Sequence, residues 1–264
     1  MPRKILIIDD HDDLATALTE AFCEQGHKVT VARDRDLAMQ LAENNAFEVV
    51  ITDLDGEKLV PVVASGNKRV EACLPVVNEA RSNLKAFKIC LAKFNNDGND
   101  DAEMLDIVKL TLQFKARFID RGPAMQNRVE RIEFEVPSTI ELMHDILDYL
   151  MSRVEKLGVV KPEKSNLFVA LDEAFVNAVK HGNKFDISKL VKIVVDISRE
   201  KASFTIEDEG EGFDVNSIPD PTVPDNLFKS SGRGVMFIYN IMDEVTYNER
   251  GNRLTMVKRT DQKR

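Results

Sequence analysis

The strand patterns of this chain most constrain its architecture, because they are of two kinds. Residues 4–8, KILII, form a nearly continuous apolar run rich in β-branched side chains. That pattern suits a strand covered on both faces. In the second half the pattern is alternation. Ile132, Phe134 and Val136 share one face of RIEFEV, with Arg131, Glu133 and Glu135 on the other. Val191, Ile193, Val195 and Ile197 share a face of LVKIVVDIS, and Ala202, Phe204 and Ile206 share a face of ASFTIE. Such strands are half-buried, with one face on a core and one towards water.

After the first strand, a helical pattern runs from about Leu14 to Glu24 and stops at Gly26. HKVTVA is a second strand, DLAMQLAENN a second helix, and FEVVIT a third strand ending at Asp53. Alternating strands and helices with short connections imply a parallel sheet. Ligands gather at the carboxyl ends of such strands, and Asp9, Asp10 and Asp53 fall there. Carboxylates packed together repel, so they call for a divalent cation. Magnesium suits an all-oxygen site with open positions. The alternative is that they are ordinary strand-end aspartates facing water.

Residues 100–120 read as one helix with Ile107, Leu110, Phe114 and Phe118 as its apolar stripe, interrupted by Arg121-Gly122-Pro123. Gly and Pro together end helices, which places a domain boundary there. Ser138 and Glu141 have the spacing of a capping box. They open a helix with Ile140, Met143, Leu147, Leu150 and Val154 inward, ended by Gly158. His144 stands on this helix beside Asp145. The next helix, LDEAFVNAVKHGNK (171–184), turns Phe168, Leu171, Phe175 and Val179 to a core. Glu173 and Asn177 lie one turn apart on one face, and His181 and Lys184 continue that line. A carboxylate, an amide, an imidazole and an ammonium on one face suit a base, a metal-ion ligand and phosphate contacts. A solvated polar face is the alternative.

ASFTIE runs straight into Asp208-Glu209-Gly210-Glu211-Gly212. Glycines let backbone approach a ligand closely, and an aspartate there can accept a hydrogen bond from an exocyclic amine such as that of adenine. Gly232-Arg233-Gly234 then leads into the helix VMFIYNIMDEV. A glycine-rich turn entering a helix presents free N–H groups and the positive dipole end, a ready phosphate site. EVTYNE and RLTMVK close the chain as a hairpin.

The net charge of −9 argues against non-specific binding to nucleic acid or an anionic membrane. The cysteines, Cys23, Cys73 and Cys90, show no metal-ligand or CxxC spacing and read as reduced thiols of the cytoplasm. No run approaches the ~20 apolar residues of a membrane span.

KILIIDD and VVITDLD resemble the first and third strands of response-regulator receiver domains. That resemblance implies that Asp9 and Asp10 hold magnesium and that Asp53 accepts a phosphoryl group from an upstream histidine kinase or phosphodonor protein. The family's fourth strand has two registers here, VPVVASGN with Ser65 or LPVVNEARS with Ser82 as switch residue. AFKICLAKF resembles its fifth strand, with Lys93 as the expected lysine, although Lys93 lies closer to Asp53 in sequence than the family spacing. A degenerate receiver serving as a docking module is the other reading.

ExxxN on a helix, DxGxG after a strand and GxG into a helix form an ordered set. It resembles the gyrase, chaperone and histidine-kinase (GHKL) ATPase superfamily and, within it, the anti-sigma-factor serine/threonine kinases. The stretches LDEAFVNAVKHGN, DEGEGFD, SSGRGVMFI, MDEV and GNRLTMVKR carry the likeness. It implies ATP and Mg2+ as cofactors, Glu173 as general base, Asn177 as magnesium ligand and Asp208 as adenine acceptor. Gly210 and Gly212 would allow close approach, Gly232, Arg233 and Gly234 would cradle phosphates, and His181 and Lys184 would lie near them. The implied fold is α/β: a doubly wound, receiver-like (flavodoxin-like) domain over 1–120, a linker over 121–127, and a two-layer α/β sandwich of the GHKL type over 128–264. The implied function is a receiver-regulated, ATP-dependent kinase acting on an anti-sigma-factor antagonist of the STAS type, with sigma-factor sequestration and a homodimer as family expectations. The alternatives are a non-catalytic, ATP-binding partner-switch module and an atypical histidine kinase using His144.

Overall fold

The computed structural model of the protein describes residues 2–56, 73–75, 83–93, 101–121, 128–161, 166–214 and 233–260. The chain divides into two compact units, Met1–Pro137 and Ser138–Arg264.

In the first unit β1 (Lys4–Asp9), α1 (Asp13–Glu24), β2 (Lys28–Ala32), α2 (Arg35–Glu43) and β3 (Val49–Asp55) follow in turn. Asp34 caps α2 by accepting the Leu37 N–H at 2.8 Å. β1 runs parallel to both β2 and β3, with Asp9 opposite Asp53. Ile5, Leu6, Ile7 and Ile8 are all fully buried, so the apolar run does mark a strand covered on both faces.

The expected parallel sheet ends at β3. β4 (Leu84–Leu91) lies beside β3 but antiparallel to it, and β5 (Val129–Pro137) runs parallel to β4, giving the order β2-β1-β3-β4-β5. β4 is the AFKICLAKF segment, expected as the last receiver strand. Its reversed direction places Lys85, at its start, opposite Asp55 and near Asp53. Lys93, beyond its other end, is exposed. Both candidate switch serines, Ser65 and Ser82, lie outside the described residues, as do linker residues 122–127.

β5 was expected to open the C-terminal domain as a half-buried strand. By its pairing with β4 it counts with the first unit, and both its faces are covered. Glu133, on the supposed wet face, is 1% exposed and meets the equally buried Lys88 of β4 at 3.2 Å. These two residues are direct cross-strand partners. A buried charge is tolerated when it is paired, and such a pair makes a covered strand read as alternating.

α3 (Asp101–Phe114) passes into a π-helical segment, Lys115–Ile119. Its buried stripe is Met104, Ile107, Val108, Thr111 and Leu112, continued by Lys115. The expected stripe is therefore rotated: Leu110 and Phe114 are half-buried and Phe118 is exposed.

The second unit contains α4 (Ile140–Lys156), α5 (Leu167–Val176), a π-helical segment (Asn177–Gly182), β6 (Leu190–Ile197) and β7 (Lys201–Asp208). It closes with α6 (Arg233–Ile241), β8 (Glu244–Tyr247) and β9 (Arg253–Arg259). The strands pair antiparallel in the order β6-β7-β9-β8. Val191, Ile193, Val195, Ile197, Ala202, Phe204 and Ile206 are buried as the alternation predicts. α5 packs against both α4 and α6, so one helical layer covers one sheet. The α4 N-cap is Thr139, whose side chain accepts the Glu141 N–H at 3.3 Å. Ser138, expected as the cap, is buried and donates its backbone N–H to Lys189. No helix among the described residues is long and apolar enough to cross a membrane.

Candidate functional site

Helix α5 buries Leu167, Ala170, Leu171, Ala174 and Phe175. Phe168, expected to face the core, is 38% exposed; the small residues Ala170 and Ala174 let the stripe run one position away from it. Glu173 and Asn177 are half-buried on the opposite face, as their spacing predicts. At Asn177 the helix widens into its π-helical segment, with Asn183 N–H bonded to Ala178 O at 2.8 Å. Such insertions recur at functional sites.

The widening delivers Asn183 to a fully buried position that sequence reasoning missed. Its Nδ2 donates to Leu190 O at 3.0 Å, and its Oδ1 accepts from Glu209 N at 2.9 Å. One side chain thus ties the helix end to the start of β6 and to the loop after β7. Lys184 and Phe185 follow with φ of 58° each, a region that non-glycine residues rarely occupy.

Asp208 ends β7. Its Oδ1 accepts the Gly210 N–H at 2.8 Å. Burial raises its carboxyl pKa above the ordinary range, against the lowering effects of that bond and of Arg250. The half-buried carboxyl is therefore partly desolvated, and a further hydrogen bond to it is stronger than one in open water. Gly182 makes this possible: a Cβ there would overlap the Asp208 carboxyl. The turn over residues 250–252 clamps the loop. Arg250 Nη2 donates to Gly210 O at 2.8 Å, and Asn252 Nδ2 donates to Asp208 O at 2.7 Å. Arg250 and Asn252 also escaped the sequence reading, since they belong to a hairpin turn distant in sequence.

α6 starts at Arg233, and Gly234 sits against Glu173 so closely that a Cβ would collide with Glu173 Oε2. Gly232 and the Arg233 side chain lie outside the described part. Glu173, Asn177, His181, Lys184, Asp208, Gly212 and Gly234 all line one cavity of about 680 Å3, within the size range of small-molecule sites. Phe213 and Tyr247 form an aromatic wall, edge to face at 5.3 Å between centroids. Burial, with the nearby Tyr239, pushes the Tyr247 hydroxyl up to about 12. Lys184 also meets Glu211 at 3.8 Å, and that pair is exposed.

In the first unit Asp9 stands opposite Asp53 on the paired strands β1 and β3, while the side chain of Asp10 groups with His11 and Asp55, whose ligand atoms all lie within 4.8 Å of one another. Asp9 accepts backbone N–H bonds from His11 at 3.0 Å and Ala15 at 2.8 Å, which fastens the start of α1. Burial raises its pKa; those bonds oppose the rise and the Asp53 charge adds to it. Asp10 Oδ2 accepts from Asp55 N at 3.3 Å. Asp53 is 2% exposed. Its Oδ2 meets Lys115 Nζ at 2.8 Å and Lys85 Nζ at 3.3 Å. Burial opposes its charge, but Lys115 and then Lys85 prevail and hold its pKa below the usual carboxylate range. Its Oδ1 is buried without a hydrogen-bond partner. The cations beside Asp53 are therefore Lys115 and Lys85, not Lys93.

Residues 136–258 match the histidine kinase-like ATPase domain family. Among curated proteins the chain is similar to "Serine-protein kinase RsbW" of Staphylococcus aureus, in strains JH9, Newman and JH1. Each is 30% identical over 142 residues, covering 51% of this chain and 89% of the relative.

Proposed function

The chain belongs to the RsbW-like serine-protein kinases, built on a histidine kinase-like ATPase domain, and from that membership we propose that its substrate is a serine or threonine of a small anti-sigma-factor antagonist of the STAS type. The observation that carries this reading is the convergence of Glu173, Asn177, Asp208 and Gly234 on one cavity.

The residues fit ATP and magnesium. Asp208 is a partly desolvated acceptor held in place by Gly210, suited to the exocyclic amine of adenine. The start of α6 offers N–H groups and its dipole to phosphates. Asn177 offers a neutral oxygen of the kind magnesium accepts alongside phosphates and waters. When bound, ATP supplies the transferable phosphoryl group and magnesium offsets its charge. The protein's own work is positional and acid–base. Asp208 fixes the base end, α6 holds the phosphate end, and Glu173 receives the proton of the attacking hydroxyl as general base. His181 and Lys184, exposed at the cavity rim, add positive or hydrogen-bonding groups near the phosphates; Gly232 and Arg233 are assigned the same task from the glycine-rich motif alone.

The test is direct. Incubated with labelled ATP, magnesium and the antagonist protein co-purifying from the native cell, the chain should place acid-stable label on an antagonist serine or threonine. Label that is acid-labile and carried on His144 of the chain itself would replace this reading by a histidine kinase. His144 is exposed on α4 and does not line the cavity. A cavity that holds ATP with no transfer would leave the partner-switch module. The same unit is proposed to sequester a sigma factor and to form the homodimer.

For the first unit we assign Asp9, Asp10 and Asp53 to a magnesium site and Asp53 to phosphoryl acceptance, so that an upstream phosphodonor regulates the kinase. The support is the unpartnered, buried Oδ1 of Asp53, an open donor for a hard cation. A second reading, a docking module without phosphorylation, rests on the near-complete burial of Asp53 and its two lysine partners. A small phosphodonor with magnesium should add one phosphoryl mass that Asp53→Asn abolishes. No such gain selects the docking module.

A further inference from the structure

The spacing of Cys73 and Cys90 carries no motif, yet the fold brings them together. Cys90 on β4 stands opposite Glu135 on β5, and its thiol donates to Glu135 Oε2 at 2.9 Å. Cys73 completes the group: both sulfurs and one Glu135 oxygen lie within 4.8 Å of one another. Both cysteines are free and buried, among Leu74, Leu84, Ala86 and Val50.

We infer that Cys73, Cys90 and Glu135 form a binding site for a divalent ion of the zinc class, with a fourth position open to water or another donor. Two sulfurs and a carboxylate are a borderline-soft set that favours zinc over magnesium or calcium. Donors held ~2.0–2.3 Å from a tetrahedral ion stand roughly 3.3–3.8 Å apart, so rotamer adjustments from the observed separations suffice.

Charge points the same way. Exchanging two thiol protons for one doubly charged ion leaves the formal charge of the cluster unchanged. The Lys88–Glu133 pair steadies the third donor, with Lys88 Nζ 3.9 Å from Glu135, in the manner of outer groups that orient metal ligands. A disulfide would use only the sulfurs and leave Glu135 without a role.

Cobalt(II) titrated into the reduced, full-length chain tests this. The expected result is a thiolate-to-cobalt charge-transfer band that saturates at one equivalent, disappears on adding zinc, and accompanies release of about two protons per ion. Cys73→Ser and Cys90→Ser should each abolish the band, and Cys23→Ser should leave it. Glu135→Gln, which preserves shape, should weaken binding by more than about tenfold, a loss that even outer partners of metal ligands produce; it decides the matter should either serine variant fail to fold. No band, a band that survives both serine variants, or a Cys73–Cys90 disulfide formed with diamide in a chain that gives no band would overturn the assignment.

Discussion

Glu173→Gln is expected to lower the rate of serine phosphorylation by about 10²- to 10⁴-fold, the usual contribution of a positioned general base. Glutamine keeps the length and shape of the side chain, so the close approach of Gly234 to residue 173 survives. Asp208, Gly210 and the clamp from Arg250 and Asn252 are untouched, and ATP should bind with its affinity changed little. The expected signature is a fall in kcat with a nearly constant KM for ATP, which marks an interaction made in the transition state rather than uniform binding. Initial rates of label transfer to the antagonist, together with equilibrium nucleotide titration, provide the check. Full phosphotransfer by the variant would remove Glu173 from the chemistry.

The second large effect is on folding. Lys115→Met should destabilise the chain by about 3–5 kcal/mol, the cost of leaving one member of a buried ion pair without its partner. The Lys115 and Asp53 side chains are each 3% exposed and meet at 2.8 Å, so solvent screens them little. Lys85 at 3.3 Å offers partial relief. Adding Asp53→Asn to Lys115→Met should recover part of the loss, since of the two carboxylates left behind, Asp53 and Asp120 at 3.5 Å from Lys115, one is then neutral. Urea unfolding of the single and double variants measures both steps; equal losses in the two would refute the pairing. The pair also sets a pH dependence. Because the folded-state pKa of Asp53 is depressed, its contribution is present above the ordinary carboxyl range, ~4. It fades as the pH falls towards the lower folded value. Acid unfolding of Lys115→Met should show that component reduced, since Lys85 alone then holds the Asp53 pKa down.

Much of the second unit was legible in the sequence. Val191 to Ile197 and Ala202 to Ile206 alternate because one face meets helices and the other water. Glu173, Asn177 and Asp208 converge because a helix turn and a strand end were enough to place them. Strand direction in the first unit was not legible. A local run such as KICL looks the same in either direction, and only long-range pairing sets Lys85 rather than Lys93 beside Asp53. Glu133 misled for a related reason, since its partner Lys88 lies on another strand. Lys115 did leave a trace. It continues the spacing of Met104, Ile107, Val108, Thr111 and Leu112, and a lysine on a buried stripe signals a buried anion. Thr139 displaced Ser138 as cap because a boundary shifted by one residue leaves the hydroxyl pattern intact.

The widened turn over Asn177–Gly182 bears on how this site tolerates change in chain length. Losing one residue within it would not break the helix; the segment could continue with ordinary α-helical geometry. Every following side chain would, however, swing about 100° around the axis. Asn183 would leave Leu190 and Glu209 together, and Gly182 would no longer face Asp208. Residues before the deletion would keep their places while the loop after β7 lost its anchor. A shortened homologue of this segment would thus be a helix in good order whose cavity had lost its hold on the end of β7.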